Sequence, residues 1–372
     1  MTATEQALSG TTYLAPTKRT AFYDYYQRQY AQTLAWLQQA LTAAAVRRDQ
    51  QRGHKEAEHA AQRQRLAQYS GVDQCFAVAT QVERIPTASS ATAYRLQNRH
   101  GLCYTGLYWE PTTVLRGAVI LAGPDEPTTA QLVTHYLAQG LRVICPCLAR
   151  PCHSFQEHPQ RKWYSFADDE LLHLFFFICG GSLAGLEAAE LLTTAHALGQ
   201  QADRALPVAL HLTGRHLLTG ALAAALVPLF ADAGVPPFSL LILPDTVAQL
   251  DHQETDDCVN TVWHFHTEFD ALTLFELARG ADLLFIESTP TPSANFSQAL
   301  AWFTQDDQMQ RRVTRLVTPV VEQLTAAVAE ILAPANGPPN PQLLAQPCGA
   351  RTQAQPLCLY DYDSAPDPLP AF

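Results

Sequence analysis

Residues 207–230 read PVALHLTGRHLLTGALAAALVPLF: a branched apolar run, a turn at Gly214, then an Ala/Leu run with helical spacing. A strand–turn–helix of this kind lifts one side chain onto a sharp bend, where the pattern G-x-S-x-G presents a serine nucleophile. Here the register is Gly214-Arg215-His216-Leu217-Leu218, so His216 stands at the tip. An imidazole at that place is either a nucleophile or base on a pre-strained turn, or a polar residue marking a retired centre.

Ser182 is the rival. The stretch LFFFICGGSLAGLEAAELL also reads as strand, Gly-Gly-Ser, helix, and Gly180-Gly181-Ser182-Leu183-Ala184 fits a small-x-Ser-x-small elbow. A base for it would come from His153, His173 or His211. Serine is equally an ordinary N-cap for the helix that follows. His264 and His266 lie two apart, which on a strand puts both on one face, as in metal-binding pairs. His252, Asp256, Asp257 and Asp270 are near in sequence. Cys145-Pro146-Cys147 with Cys152 and His153 has the residue types for zinc, although C-x-C is less diagnostic than paired C-x-x-C units. No G-x-G-x-x-G follows a strand and no G-x-x-x-x-G-K-[ST] is present, so no phosphate-cradling loop is expected. Clusters such as the His264/His266 group are usually polar surface, and no cofactor or metal is expected.

The elements that must position these groups alternate. Residues 20–69 carry apolar and aromatic side chains at spacings of three and four, first through Phe22, Tyr25, Tyr26, Tyr30, Leu34, Leu37 and Leu41. The polar stretch 47–69 predicts a second, mostly exposed helix anchored by Leu66. Residues 76–82 and 93–108 read as antiparallel strands with a turn at 98–101. Strands are then expected at 117–122, 141–148, 207–213, 238–243 and 282–286. Helices are expected between them at 129–139, 183–198, 220–233 and 272–278, with a long closing helix at 297–332 broken near Pro319. Short apolar strands alternating with helices predict an α/β fold with a mostly parallel sheet covered on both faces. The expected organisation is an N-terminal helical extension (1–70), one α/β domain (71–335) and a Pro/Gln-rich tail (336–372) whose one strand candidate is 356–362.

The chain has 372 residues, 47% of them hydrophobic, enough for a large core. Its formal net charge is −11. An acidic surface argues against nucleic-acid binding and against docking on anionic lipid. No uninterrupted apolar segment reaches the roughly 18 residues of a membrane span, and MTATEQALSG lacks the pattern of a secretory signal. Nine cysteines, an odd number, do not suggest a disulfide framework. A soluble, cytoplasmic protein is expected.

Three stretches carry a family resemblance: TGLYWEPTTVLRGAVILAGPDEP, CGGSLAGLEAAELLTTAHAL and FDALTLFELARGADLLFIESTP. The chain resembles the α/β-hydrolase superfamily, and within it the acetylxylan-esterase-like and dienelactone-hydrolase-like bacterial proteins. The resemblance implies the α/β-hydrolase fold, carboxylic-ester hydrolysis, and catalytic residues in the chain order nucleophile, acid, histidine. Carried over, the nucleophile's place falls on His216, and the acid's on Asp245 or Glu287. The base's place stays empty, because His266 is the last histidine and precedes the final expected parallel strand.

With two of three side-chain roles missing, the expected function is a non-catalytic binding or assembly protein, a pseudohydrolase. One alternative is an active esterase using Ser182 or His216. Another is a structural, oligomer-forming protein. The resemblance implies an acyl-ester or carbohydrate-like small molecule as ligand. The aromatic-rich N-terminal helices offer a surface for a second copy or a protein partner.

Overall fold

A computed structural model describes residues 43, 46, 56–86, 90–122, 126–148, 176–201, 206–213, 216–244, 262, 265–278, 280–287 and 313–333. The earlier part of the N-terminal extension, the segment 149–175, and the tail with its strand candidate at 356–362 lie outside them.

The antiparallel entry stretches and the short apolar runs pair into one sheet of nine strands among the described residues. They are β1 (Ala79–Pro86), β2 (Thr92–Asn98), β3 (Cys103–Trp109), β4 (Gly117–Ala122), β5 (Leu141–Pro146), β6 (Val208–Leu212), β7 (Phe238–Pro244), β8 (Asp282–Glu287) and β9 (Val313–Val317). Their order across the sheet is β1-β2-β3-β5-β4-β6-β7-β8-β9. β1, β2 and β3 form an antiparallel meander, and β3 also meets β5 antiparallel. From β5 to β9 every pair is parallel. Six parallel strands need crossovers, and the helices supply them.

The helices are α1 (Glu56–Ser70), α2 (Val72–Cys75), α3 (Glu126–Ala138), α4 (Leu183–Gln201), α5 (His216–Leu226), α6 (Phe265–Glu268), α7 (Ala271–Leu277) and α8 (Val321–Leu332). Alternation along β4 shows how they divide. Ala118, Ile120 and Ala122 face a core shared with α1, α2, α4, α5 and α7. Val119 and Leu121 face the other core, closed by α3 and α8. Both faces are therefore buried, as central parallel strands require.

α1 sits deeper than its polar composition suggests. Leu66 and Ala67 join the larger core, and Arg63, though charged, is buried with its guanidinium donating to the Leu277 carbonyl oxygen at 2.8 Å. Its last residue is clamped to α4. The Ser70 carbonyl oxygen accepts from both the N–H and the hydroxyl of Ser182, each at 3.0 Å. Gly71 turns the chain at φ 78, and a Cβ there would lie 2.7 Å from the Gly181 Cα.

Two expectations are corrected. Residues 313–317 (VTRLV) form a ninth strand where a long helix was expected, because Val, Thr and Val favour the pleated surface beside β8. Residues 216–226 are helical from His216 onward, and 227–233 continue as a 3-10 helix past Pro228. This stretch is long and apolar enough to cross a membrane by composition, yet two-thirds of it is buried inside the fold.

Candidate functional site

β6 delivers the chain to Thr213, whose N–H donates to the Ala122 carbonyl oxygen and prolongs the parallel ladder. The His216 N–H then donates to the Thr213 carbonyl oxygen at 3.3 Å, a three-residue return that starts α5. Gly214 and Arg215 lie outside the described residues. His216 is thus the first residue of α5, and only 6% of it is exposed.

The imidazole meets a partner that sequence reasoning missed. His216 Nδ1 lies 3.2 Å from Glu187 Oε2, and the Thr219 hydroxyl, one turn along α5, donates to the same oxygen at 2.8 Å. Glu187 belongs to α4 and is 2% exposed. A carboxylate this deep must be paired or hydrogen-bonded. The signal for it was present in GLEAAELL, where Glu187 and Glu190 interrupt an apolar helix that has no polar face to give them.

His216 also lines a cavity of about 570 Å³ at the carboxyl ends of β4 and β5. Its other walls include Leu107, Trp109, Val133, Cys145, Cys147 and Leu148. The crevice beyond the carboxyl ends of parallel strands is the usual ligand position in such sheets, and the volume falls within the range of small-molecule pockets.

The other expected residues fall elsewhere. Ser182 is 1% exposed. Its hydroxyl oxygen accepts from the Gly185 N–H at 2.9 Å while its hydroxyl donates to Ser70, so it caps α4 and bolts it to α1. Residues 176–178 before it are helical, so no strand leads into Gly180-Gly181. His211 and Ser182 lie on opposite sides of the sheet: His211 alternates with Leu210 and Leu212 of the larger core and points to Tyr136 in the smaller one. The Tyr136 hydroxyl is 2.9 Å from His211 Nδ1, and burial pushes the imidazole down to about 4.

Glu287 ends β8 with no exposed surface, and Arg315 of β9 grips it through two parallel contacts of 2.5 and 2.9 Å. Both carboxylate oxygens are engaged by the guanidinium. Between β9 and α8 run Thr318, Pro319 and Val320, with Thr318 held at φ 43 and no imidazole. Residues 265–268, His266 among them, form a helical turn, not a strand. Asp270 caps α7 by accepting from the Thr273 N–H at 2.8 Å. Asp245, His153, His173, Cys152, His252, Asp256, Asp257 and His264 lie outside the described residues. No cluster of three or more metal-ligating side chains occurs among the described residues. Burial pushes the Cys145 thiol up to about 12, so it is no ready thiolate nucleophile.

The sheet order, the two helical layers and the turn after β6 define an α/β protein with the α/β-hydrolase fold. No family model and no curated protein matches the chain. Solved structures do. The chain is similar to acetyl xylan esterase 1 from Thermoanaerobacterium sp. at 14% identity, over 72% of this chain and 92% of that one, with a TM-score of 0.44. It is similar to dienelactone hydrolase from Anabaena variabilis at 12% identity, over 68% and 95%, with a TM-score of 0.36. A glucuronoyl esterase from Sporotrichum thermophile aligns at 11% identity over 72% and 79%, with a TM-score of 0.40.

Proposed function

We propose that the chain is a non-catalytic binding protein on an esterase-like frame, holding an acyl-ester or carbohydrate-like small molecule in the cavity beside His216. One observation carries this reading: the nucleophile's place holds an imidazole bound to a buried carboxylate. Two further places agree. Glu287 is engaged by Arg315, and the β9–α8 connection has no histidine to orient. Ester hydrolysis by this geometry needs a nucleophile, a base and an acid in one relay, and removing one member of such a relay already costs most of the rate.

The test is hydrolysis of p-nitrophenyl acetate together with fluorophosphonate labelling. The wild-type chain is expected to match buffer and to take up no label. His216→Ser, which restores a hydroxyl at the tip, is expected to stay inactive for want of a base. Turnover by the wild-type chain that disappears in His216→Ala or Ser182→Ala overturns the proposal.

A second reading has its own support. The His216–Glu187 pair joins an imidazole to an orienting carboxylate, the arrangement general-base catalysis uses. Turnover lost equally in His216→Ala and Glu187→Gln would select it.

A further inference from the structure

The cavity beside His216 is a trough whose sides come from one helix and one strand. Ala130, Val133 and Leu137 of α3 follow one another at spacings of three and four, which puts them on one helix face. Leu107 and Trp109 are two apart on β3 and share a strand face. Leu107 is 38% exposed and Trp109 half-buried, so this apolar surface stands open to a ligand. Thr134 lines the same side of α3, but its hydroxyl donates to the Ala130 carbonyl oxygen at 2.9 Å and is satisfied within the helix. Thr129, in the first turn of α3, falls toward the carboxyl ends of the strands, as His216 does. From His216 to Trp109 the trough crosses β6, β4, β5 and β3, three strand spacings or roughly 14 Å.

We infer that this trough holds an aliphatic acyl chain of medium length, lying between α3 and β3 with its ester end at His216. The inference rests on the binding role proposed above and selects between the two ligand classes named there. Each hydroxyl of a sugar ring needs a directed donor or acceptor from the wall. A methylene chain needs only apolar surface, and every methylene buried there adds to affinity. From Val133 and Leu137 across to Leu107 and Trp109 the walls offer that surface, and the Thr134 hydroxyl between them is held by its own helix. The ester end, which does need polar partners, meets the imidazole and Thr129. The span suits a chain of medium length, and an acetyl group covers only a small part of it.

The test titrates the full chain with methyl butanoate, methyl hexanoate, methyl octanoate and methyl glucoside by isothermal titration calorimetry. Affinity is expected to rise about fourfold for each added methylene as far as the octanoate. Methyl glucoside is expected not to bind. Leu107→Asp, at an exposed position, sets a charge against the chain and is expected to weaken the octanoate by about tenfold, and the butanoate less. Circular dichroism checks its fold; if the variant does not fold, the wild-type series decides alone. Equal affinities along the ester series overturn the inference and leave the binding role standing. So does preference for methyl glucoside over the octanoate, and so does an octanoate affinity that Leu107→Asp leaves unchanged. Failure of every probe to bind overturns both. Hydrolysis of the esters overturns the non-catalytic role alone, since the rise with chain length is then read in KM.

Discussion

His211 and His216 lie five residues apart and live in different chemistry. His216 opens a helix, turns to a carboxylate and borders a cavity. His211 is sealed in the smaller core against Tyr136, where desolvation disfavours its charged form. Its folded-state value of about 4 lies below the ordinary 6.5, so between those values the unfolded chain binds a proton that the folded chain does not. Stability therefore holds above about pH 6.5 and falls as the pH drops toward 4, by about 3 kcal/mol from this residue. Urea melts at pH 7.5 and pH 4.5 are expected to show that loss in the parent. A smaller loss is expected in His211→Gln, where no imidazole titrates. Equal pH slopes in the two would refute the assignment. The two histidines were visible in the sequence, whereas their partners, Tyr136 and Glu187, come from helices remote in the chain.

At the scale of elements, the junction between α1 and α4 decides more than its composition indicated. Glycine at 185 lets the first turn of α4 pass directly beneath the Ser70 carbonyl oxygen, and a Cβ there would collide with that oxygen. Backbone cannot swing aside as a side chain can, so Gly185→Ala is expected to cost about 3 kcal/mol. Chemical denaturation reads this. Ala at exposed Gly101, where nothing lies within 4 Å, serves as the comparison, although its φ of 82 carries a strain of its own. The elements themselves were largely legible. The strands at 117–122, 208–212, 238–244 and 282–287 fall within a residue or two of expectation, because parallel strands buried on both faces read as continuous apolar runs. β9 was not, since VTRLV is short and half-polar and lies in a stretch whose Ala and Leu residues imitate a helix. Its strand state is set by hydrogen bonding to β8. Ser182 had two readings in the sequence, elbow or cap. Which one holds depends on a carbonyl 112 residues away.

Across the whole molecule, α1 is part of the larger core, not an appendage to it. Leu66 is fully buried, and His59 reaches Glu276 at 3.3 Å across to α7. A chain beginning at residue 71 is therefore expected to lose the cooperative thermal transition that the full chain shows. Near-ultraviolet circular dichroism during heating distinguishes them, and a sharp, undiminished transition in the shorter chain would contradict the packing described.

The sequence alone determined the alternation of strands and helices, the mostly parallel sheet, a helix following β6, and the absence of any histidine beyond 266. These are local or compositional properties, set by apolar periodicity and by which residue types occur at all. Tertiary structure alone decided that Glu187 holds His216, that Arg315 occupies Glu287, that Ser182 serves a helix end, and that Cys145 and Cys147 share a cavity with the elbow. Each depends on contacts between separate segments, fixed by strand order and by the requirement that buried polar groups find partners; the sequence marks Glu187 and Ser182 as polar residues of an apolar helix, but it does not name their partners.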